Sequence, residues 1–306
     1  MEAIRRLEDL RVRAPSVVTV GVFDGVHVGH QAIMRIVKAD AAELGARSVV
    51  VTFDRDPEEL VYPTKAAPHL TTLRRKVELV AEQGMDLAVV LPLGGWLIDM
   101  PAERFVSSIL YEKLSAVQVV VGANFAFGKG RAGDVRLLRK MGRDLGFGVV
   151  EVSPIKVDSL LVSSTAIRKL LADGKIELAN VLLGHPFVLE GRVIAGDGIG
   201  RSIGYPTANV EPVREQIVPG RGVYAVSAKV GDTTWTGVAN IGARPTIGGR
   251  GAGIEVYLIG FSGDLYGREL ATVFHHRLRD EIEFPDVEAL KSQIARDIEQ
   301  ASRLVV

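Results

Sequence analysis

The sequence predicts two domains: an α/β doubly wound domain, followed by a small antiparallel β-barrel domain that ends in a helix. Three observations support this. The chain has 306 residues, and a domain commonly contains about 150. Up to residue 152, apolar β-branched runs alternate with amphipathic helical patterns. After residue 186, short strands follow one another with only turns between them, which is typical of an all-β section.

Composition narrows the classes of function. Lysine plus arginine and aspartate plus glutamate both number 37, so no net charge attracts nucleic acid or an anionic membrane. The chain has no cysteine, which excludes disulfides, thiolate nucleophiles and cysteine-bound zinc. A site that binds a hard cation such as Mg²⁺ through oxygen ligands remains possible. The charged amino-terminal sequence and the lack of a long apolar stretch predict a cytoplasmic protein with no membrane partner and no nucleic-acid partner.

In the first half, fully apolar strands alternate with helices that carry one apolar stripe. The predicted strands are 16–23, 47–53, 86–93, 117–122 and 147–153, and the predicted helices are 30–44, 71–83, 101–114 and 134–146. Such strands are typical of a parallel sheet that is covered on both faces. Two short helices, 164–173 and 175–184, are expected to close the domain. The predicted domains are therefore residues 1–185 and 186–306.

The second half is predicted to be a small barrel or sandwich, with turn residues between its strands. The predicted strands are 187–194, 222–230, 233–241, 254–261 and 269–278. A final helix should pack on this β structure, because it carries an apolar stripe at helical spacing. The stripe consists of Val287, Leu290, Ile294, Ile298 and Ala301.

A phosphate site is predicted where the first strand meets its helix. The segment GVFDGVHVGH passes through a glycine-rich turn into a helix that is expected to begin around Val28. His27 and His30 lie at the amino terminus of this helix, where free N–H groups and the helix dipole favour anions. The alternatives are a solvated pair of histidines and a metal pair, but a third nitrogen or sulfur ligand is not evident nearby.

A second anion signal is the segment SSTAIR, residues 163–168. Its hydroxyl groups stand at the start of a predicted helix, where Ser164 or Thr165 is also expected to act as the helix cap. Arg168 favours anion binding, because a cation in the first turn of a helix is unfavourable unless an anion offsets it. In a doubly wound sheet this helix could reach the same crevice as the histidines.

The densest glycine cluster, GDGIGRSIGYPTANV, covers residues 196–210. Its glycines let a loop fold closely over phosphates, although a flexible surface loop is the alternative. Thr207 and Asn209 follow with a hydroxyl and an amide oxygen, which are suitable ligands for Mg²⁺. Further along, Glu255 places a carboxylate on a strand that otherwise reads apolar. Such a residue is usually solvent-facing.

In this order, GVFDGVHVGH and SSTAIR resemble the nucleotidyltransferase superfamily, which is marked by HxGH and SSTxxR motifs. With VVVGANFAFGKGRAGD between them and PTAN behind, the chain resembles the bacterial bifunctional riboflavin kinase/FMN adenylyltransferase family over residues 17–305. The resemblance implies a nucleotidyltransferase-like, Rossmann-like domain that converts FMN and ATP to FAD and pyrophosphate. It also implies a barrel that converts riboflavin and ATP to FMN and ADP, with Mg²⁺ required in both steps. We expect a monomer or a weak homo-oligomer.

For adenylyl transfer, the resemblance implies that His27 and His30 hold the ATP phosphates and that Asn124 helps to position the substrates. The residues implied to bind pyrophosphate are Ser164, Thr165 and Arg168. Additional nucleotide- or flavin-binding positions in this half are expected at Gly21, Phe23, Asp24, Gly29 and Ser163. The reaction needs charge stabilisation and in-line placement of the phosphates, and no side-chain nucleophile is required.

For the kinase, the resemblance implies that Thr207 and Asn209 hold the metal-bound phosphates. Glu255 is implied to be the general base that takes the proton from the ribityl 5′-hydroxyl. Additional binding positions are expected at Gly196, Gly198, Gly200, Gly204, Pro206, Asn240 and Arg279. His275 and His276 are expected to be surface or packing residues.

One departure from the family pattern concerns the segment TFDRDP, residues 52–57. The family commonly has a proline and a histidine where this chain has Arg55 and Asp56, and a carboxylate beside a phosphate repels it. One alternative is therefore an enzyme in which only the kinase operates, with an adenylyltransferase domain that is degenerate or specific for a flavin analogue. A second alternative is a flavin-binding regulator without turnover, against which the intact motifs argue.

Overall fold

A computed structural model describes residues 1–4, 14–61, 66–196, 198–243 and 252–305. The chain divides into two compact units. The first unit comprises Met1–Ala67 and Leu73–Ser163, and the second comprises Pro68–Thr72 and Ser164–Val306. Among the described residues, none of the helices has the length and the hydropathy that crossing a bilayer requires.

The first unit contains a parallel sheet of six strands in the order β1-β4-β3-β2-β5-β6. The strands are β1 (Glu2–Ile4), β2 (Ser16–Val20), β3 (Arg47–Phe53), β4 (Leu87–Leu91), β5 (Ala116–Gly122) and β6 (Gly148–Val152). This confirms the predicted doubly wound domain. Strand β1 was not predicted, because three residues are too short to show a pattern. The strand order reverses between β2 and β5, and ligands of such sheets bind at the carboxyl ends of the strands at this point.

Helices cover both faces of this sheet. They are α1 (Val28–Glu43), α2 (Pro57–Val61), α3 (Leu73–Glu82), α4 (Gly95–Ile98), α5 (Ala102–Arg104) and α6 (Val135–Leu145), with a π-helical segment at Phe105–Lys113 and a small hairpin of β7 (Lys156–Val157) and β8 (Leu160–Leu161). On one face, Val18 and Val49 are fully buried, and on the other face Val17 and Val50 are fully buried. The strands are apolar on both sides for this reason.

The second unit contains a closed barrel of six antiparallel strands in the order β10-β13-β12-β11-β14-β9. The strands are β9 (Phe187–Ile194), β10 (Ala208–Pro212), β11 (Gly222–Val230), β12 (Thr233–Ala243), β13 (Ala252–Leu258) and β14 (Glu269–Arg279). The barrel is confirmed and the sandwich is excluded. The sequence analysis did not identify β10, which follows directly on the glycine-rich loop and provides the sixth strand that closes the barrel.

The helices of the second unit are α7 (Ser164–Ala172), α8 (Ile176–Leu183), α9 (Ile199–Ser202) and α10 (Val287–Leu304). Helix α8 packs on β9 and β14. The Asn180 side chain accepts from the Phe187 N–H at 2.8 Å and donates to the Phe274 carbonyl at 2.9 Å. Helices α7 and α8 therefore belong to the compact unit of the barrel, although the sequence placed them at the end of the first domain. The functional boundary at residue 185 stays a prediction.

Helix α10 packs against β11, β12 and β14, as expected. Its contact face differs from the predicted stripe at one end: Ala301 is buried, whereas Val287, the first residue of the helix, is 50% exposed. The face also includes a charged residue. Asp297 is 3% exposed, and its carboxylate accepts from the Arg279 guanidinium at 2.8–3.1 Å. An ion pair buried in this way fixes the helix on the barrel.

Candidate active sites

The turn that follows β2 has an unusual backbone. Phe23 and Val26 have φ angles of 51° and 38°, and Gly25 between them has φ 79°. A non-glycine residue in this region costs about 1–3 kcal/mol, and such residues cluster at functional sites. The turn ends at His27, which is the N-cap of α1. The helix starts at Val28, as predicted.

The two histidines form a compact pair at this helix end. The His27 Nδ1 accepts from the backbone N–H of His30 at 3.4 Å, and the two rings stack with centroids 3.6 Å apart. Phe23 packs its ring edge-on against His30 at 5.1 Å. A Cβ atom on Gly29 would lie 3.2 Å from the His27 ring, and one on Gly21 would lie 3.0 Å from the Phe23 ring. Both glycines therefore permit the ring packing.

His30 is neutral at neutral pH. Burial lowers its pKa well below the usual value of 6.5, and the positive charges of His27 and Lys76 lower the pKa further. Its Nδ1 atom is buried, and none of the described residues forms a hydrogen bond with it. A helix amino terminus favours anions, and the lowered pKa of His30 favours its neutral form, which can donate a hydrogen bond. Binding of the ATP phosphates at this pair stays a prediction.

Other predicted residues lie at the same edge of the sheet. Asp24 is 4% exposed in the strained turn after β2. Asn124 is exposed in the turn after β5, the strand that pairs with β2. Asp56 follows β3, the other neighbour of β2. Because carboxyl ends of parallel strands share one edge of a sheet, these residues lie at the same edge as the histidine pair.

The SSTAIR residues divide at the boundary between the units. Ser163 ends the first unit, and α7 begins at Ser164 in the second. The position before the helix is therefore that of Ser163, and not Ser164 or Thr165 as the cap interpretation had it. The Arg168 Nε donates to the Pro68 carbonyl at 2.7 Å. Pyrophosphate binding by these residues stays a prediction.

Sequence reasoning missed Lys76, which lies at the same strand ends. It is 6% exposed, and its Nζ donates to the carbonyl oxygens of Val22 and Phe53, both at 3.0 Å. A signal was present, because Lys76 shares one helical stripe with the buried residues Leu79 and Val80 of α3. A lysine in an apolar stripe is rarely buried without a partner.

In the barrel, strand register aligns three polar residues. Glu255 on β13 lies directly opposite Asn209 on β10 and directly opposite Asn240 on β12. In-register residues of neighbouring strands point to the same face. Ile254 and Val256, which flank Glu255, are buried in the barrel, so the polar row faces outward. Glu255 is half-buried there, and the Thr207 hydroxyl donates to its Oε2 at 3.3 Å.

The glycine-rich loop packs against this polar row. A Cβ on Gly196 would lie 2.0 Å from the amide nitrogen of Asn209, and one on Gly200 would lie 3.1 Å from the Thr207 hydroxyl. Gly198 and Gly204 have φ angles of 71° and 92°, which favour glycine. The loop therefore lies close to Thr207 and Asn209, and its role over phosphates stays a prediction.

A cavity of about 280 Å³ adjoins Pro206 and Thr207. On its other side lies the loop after β13, which the sequence analysis interpreted only as a turn. The lining residues that were missed are Arg201, Phe261, Ser262, Gly263, Asp264, Leu265 and Tyr266. The lining combines apolar side chains with a few polar ones, which is typical of small-molecule pockets. The segment GVANIGARPTIGG, residues 237–249, also resembles a loop of the kinase family, and its residues 244–249 lie outside the described part of the chain.

Three further residues of β14 have structural contacts. The guanidinium of Arg279, a predicted binding residue, is occupied by Asp297 and by the Asp280 carbonyl at 2.9 Å, and ligand binding by Arg279 stays a prediction. The Nε2 of His275 lies 2.8 Å from the Ser227 hydroxyl. His276 lies 3.5 Å from a Glu177 carboxylate oxygen.

Comparison with known proteins gives matches along the whole chain. A family model for FAD synthetase matches residues 10–166, and one for riboflavin kinase matches residues 183–305. A bifunctional riboflavin kinase/FMN adenylyltransferase from Escherichia coli (strain K12) is 40% identical over 301 residues, covering 97% of this chain and 96% of that protein. The protein of the same name from Pseudomonas fluorescens is 42% identical, covering 99% of this chain and 98% of that one.

A similar solved structure is a crystal structure described as a macrolide-efflux protein from Streptococcus pneumoniae. It is 28% identical and covers 98% of both chains, with a TM-score of 0.87. The description applies to the Streptococcus protein alone, and the likeness supports the fold of both units.

Proposed function

The chain belongs to the bifunctional riboflavin kinase/FMN adenylyltransferase family, and from this premise we propose that it catalyses both reactions. Riboflavin and ATP give FMN and ADP in the barrel, and FMN and ATP give FAD and pyrophosphate in the first domain. The observation that carries the proposal is that one chain holds two polar sites: the Glu255 row on the barrel and the stacked histidine pair on the sheet.

In the kinase reaction, Glu255 accepts the proton of the ribityl 5′-hydroxyl. The hydroxyl oxygen then forms a bond to the γ-phosphorus of ATP while the bond to the β-phosphate oxygen breaks, and ADP leaves. The Thr207 hydroxyl at 3.3 Å from Glu255 supports this role, because a hydrogen bond helps to fix the orientation of the carboxylate. Asn209 and Asn240 lie on either side of Glu255 and orient the phosphates of ATP and the riboflavin substrate.

The oxygen donors of this site fit Mg²⁺. Thr207 and Asn209 would hold the ion, together with the phosphate oxygens of ATP. Within the described residues, no group of three or more histidine, aspartate or glutamate side chains is arranged to hold a metal, and an ion carried largely by phosphates needs no such group. When bound, Mg²⁺ neutralises the phosphate charge that develops during transfer.

In adenylyl transfer, an FMN phosphate oxygen forms a bond to the α-phosphorus of ATP, and pyrophosphate leaves. His27 and the neutral His30 donate hydrogen bonds to the phosphates, and Asn124 positions the substrates. Donors fixed in advance stabilise developing charge strongly in a site that excludes water. For pyrophosphate binding we propose the residues that the family resemblance implies, which are Ser164, Thr165 and Arg168.

The two-activity enzyme is favoured over the kinase-only alternative. The names of the relatives from E. coli and P. fluorescens include both activities. Moreover, the carboxylate of Asp56 interacts with the buried ammonium of Lys76, which offsets the repulsion expected for a phosphate. We further propose that the partners are small molecules only and that the chain acts as a monomer or a weak homo-oligomer.

Product analysis tests the proposal. The purified chain is incubated with riboflavin, ATP and Mg²⁺, and the flavins are separated by chromatography over time. We expect FMN to appear first and FAD to follow, with pyrophosphate equal to FAD. FMN without FAD would select the kinase-only enzyme, and flavin binding without ATP consumption would select the regulator.

A further inference from the structure

Lys76 occupies a position that the helical pattern assigns to an apolar side chain. The buried face of α3 consists of Lys76, Leu79 and Val80. An ammonium group at such a position loses its hydration, so hydrogen bonds and neighbouring charges must compensate. The function proposed above uses only the charge of this lysine, and assigns no role to its hydrogen bonds.

The bonds of Lys76 join the ends of two neighbouring strands. Its Nζ donates to the carbonyl of Phe53, the last residue of β3, and to the carbonyl of Val22, which lies two residues beyond β2. The Thr52 hydroxyl donates to the same Val22 carbonyl at 3.0 Å. The turn that leads to His27 is therefore anchored to β3 through one backbone oxygen with two donors.

The charges around Lys76 support a role for this lysine at the proposed phosphate site. Burial lowers its pKa, whereas the carboxylates of Asp24, Asp56, Asp54 and Glu59 act in the opposite direction. The cation thus lies among acidic groups at the strand ends where phosphates are proposed to bind. The positive charge of Lys76 therefore offsets part of the repulsion between these carboxylates and a phosphate.

We propose that Lys76 is a positioning residue for adenylyl transfer, which holds the strained turn and thereby the histidine pair through the Val22 carbonyl. This inference rests on the proposed adenylyltransferase function. Lys76 does not touch the reacting atoms. Thr52 also holds this turn, because its hydroxyl donates a hydrogen bond to the same Val22 carbonyl oxygen. The strained φ angles of Phe23 and Val26 make such an anchor necessary, since strained backbone persists only where its surroundings fix it.

The test uses the full chain with Lys76→Met, which keeps the length of the side chain and removes its charge and both bonds. We expect kcat for FAD formation from FMN to fall by about 10²-fold, because a small displacement of a catalytic group has an effect of this size. The KM for FMN should change little. Riboflavin phosphorylation by the same protein should stay within about twofold, since the barrel has its own core.

Two more variants keep the test decisive. Thr52→Val removes one donor to Val22 at constant shape, and kcat for FAD formation should fall by roughly 3–10-fold. Arg74→Met removes an exposed cation from the same helix and should leave both activities unchanged. A folded Lys76→Met protein with normal kcat would overturn the inference; if Lys76→Met does not fold, a normal rate in Thr52→Val would overturn it. Absence of FAD with the unaltered chain would instead refute the proposed function.

Discussion

In the first unit, the candidate phosphate site lies within one short stretch of chain, residues 21–30, whereas the barrel site combines residues from three strands. The histidine pair depends on local backbone strain and on close packing of rings. The Glu255 row depends on the register of β10, β13 and β12. A local motif can be recognised from sequence spacing alone. Residues that align across neighbouring strands can be recognised only once the pairing of the strands is known.

The two sites also differ in the burial of their ionisable groups. His30 and Lys76 are buried, and burial lowers the pKa of both. Glu255 is half-buried and has a hydroxyl partner. A substitution in one site should therefore lower only the activity of that site. The other activity of the same variant then serves as the control for folding.

The largest effect is expected for Glu255→Gln. The substitution keeps size and polarity but removes the proton acceptor, so kcat for riboflavin phosphorylation should fall by roughly 10²–10⁴-fold. Steady-state kinetics with saturating ATP and Mg²⁺ measure this change, and FMN adenylylation should be unaffected. A kinase rate within a fewfold of the unaltered enzyme would discard the base assignment.

His30→Ala should have the next largest effect, on the other activity. It removes the stacked ring and its hydrogen bond, and FAD formation should fall by about 10²–10³-fold, as for loss of a fixed donor in other enzymes. FMN formation from riboflavin should remain. If a folded variant loses both activities equally, the two sites are not independent.

Gly196→Ala tests the barrel site at its loop. The new Cβ would lie 2.0 Å from the Asn209 amide nitrogen, so Asn209 must move, and kcat/KM for riboflavin phosphorylation should fall roughly 10-fold. The unfolding curve should show whether the barrel is intact. Normal kinase activity would indicate that Asn209 does not hold the phosphates.

A smaller effect concerns pH and stability. The unfolded chain protonates His30 near pH 6.5, whereas burial, and then the charges of His27 and Lys76, lower the pKa in the folded protein. Between these values the unfolded state binds more protons, so the unfolding free energy of the first unit falls as pH drops below 6.5. His30→Gln should flatten this dependence.

Tryptophan fluorescence can follow that unfolding, because Trp96 lies in the first unit and Trp235 in the second. Urea curves of Trp235→Phe, with and without His30→Gln, report the first unit at several pH values. Equal slopes against pH in the two proteins would show that His30 is not the titrating group.

The smallest effect is expected for Asp56→His, which restores the residue common in the family. Lys76 already offsets the carboxylate, so kcat/KM for FAD formation should rise by no more than about threefold, the size expected of a screened charge. An increase above tenfold, or a changed flavin preference, would mean that Asp56 faces the reacting phosphates without compensation.

The sequence predicted most of the fold because its strands and helices have clear periods. The apolar strand 47–53 and the helix start at Val28 agree with the structure. Strand β10 was missed because it overlaps the PTAN residues, whose pattern does not indicate a strand. Helix α8 was expected in the first domain, although it packs on the barrel, because an amphipathic helix does not reveal which neighbour covers it. Asn180 determines that neighbour through bonds to β9 and β14.

The candidate sites were predicted as lists of residues, without their contacts. Spacing indicated that His27 and His30 share a helix end, but not that burial keeps His30 neutral. Arg279 was selected by resemblance, whereas its guanidinium pairs with Asp297. Long-range pairs of this kind cannot be derived from one sequence, because neither residue has a local signature.

The central claim is that two independent active sites act in one chain, and a mixing experiment tests it most directly. His30→Ala and Glu255→Gln proteins are incubated with riboflavin, ATP and Mg²⁺, separately and together, and flavins are quantified over time. We predict that His30→Ala alone stops at FMN, that Glu255→Gln alone leaves riboflavin unchanged, and that the mixture forms FAD. A mixture that forms no FAD, because one folded variant has also lost the activity of its unaltered site, would contradict independent sites.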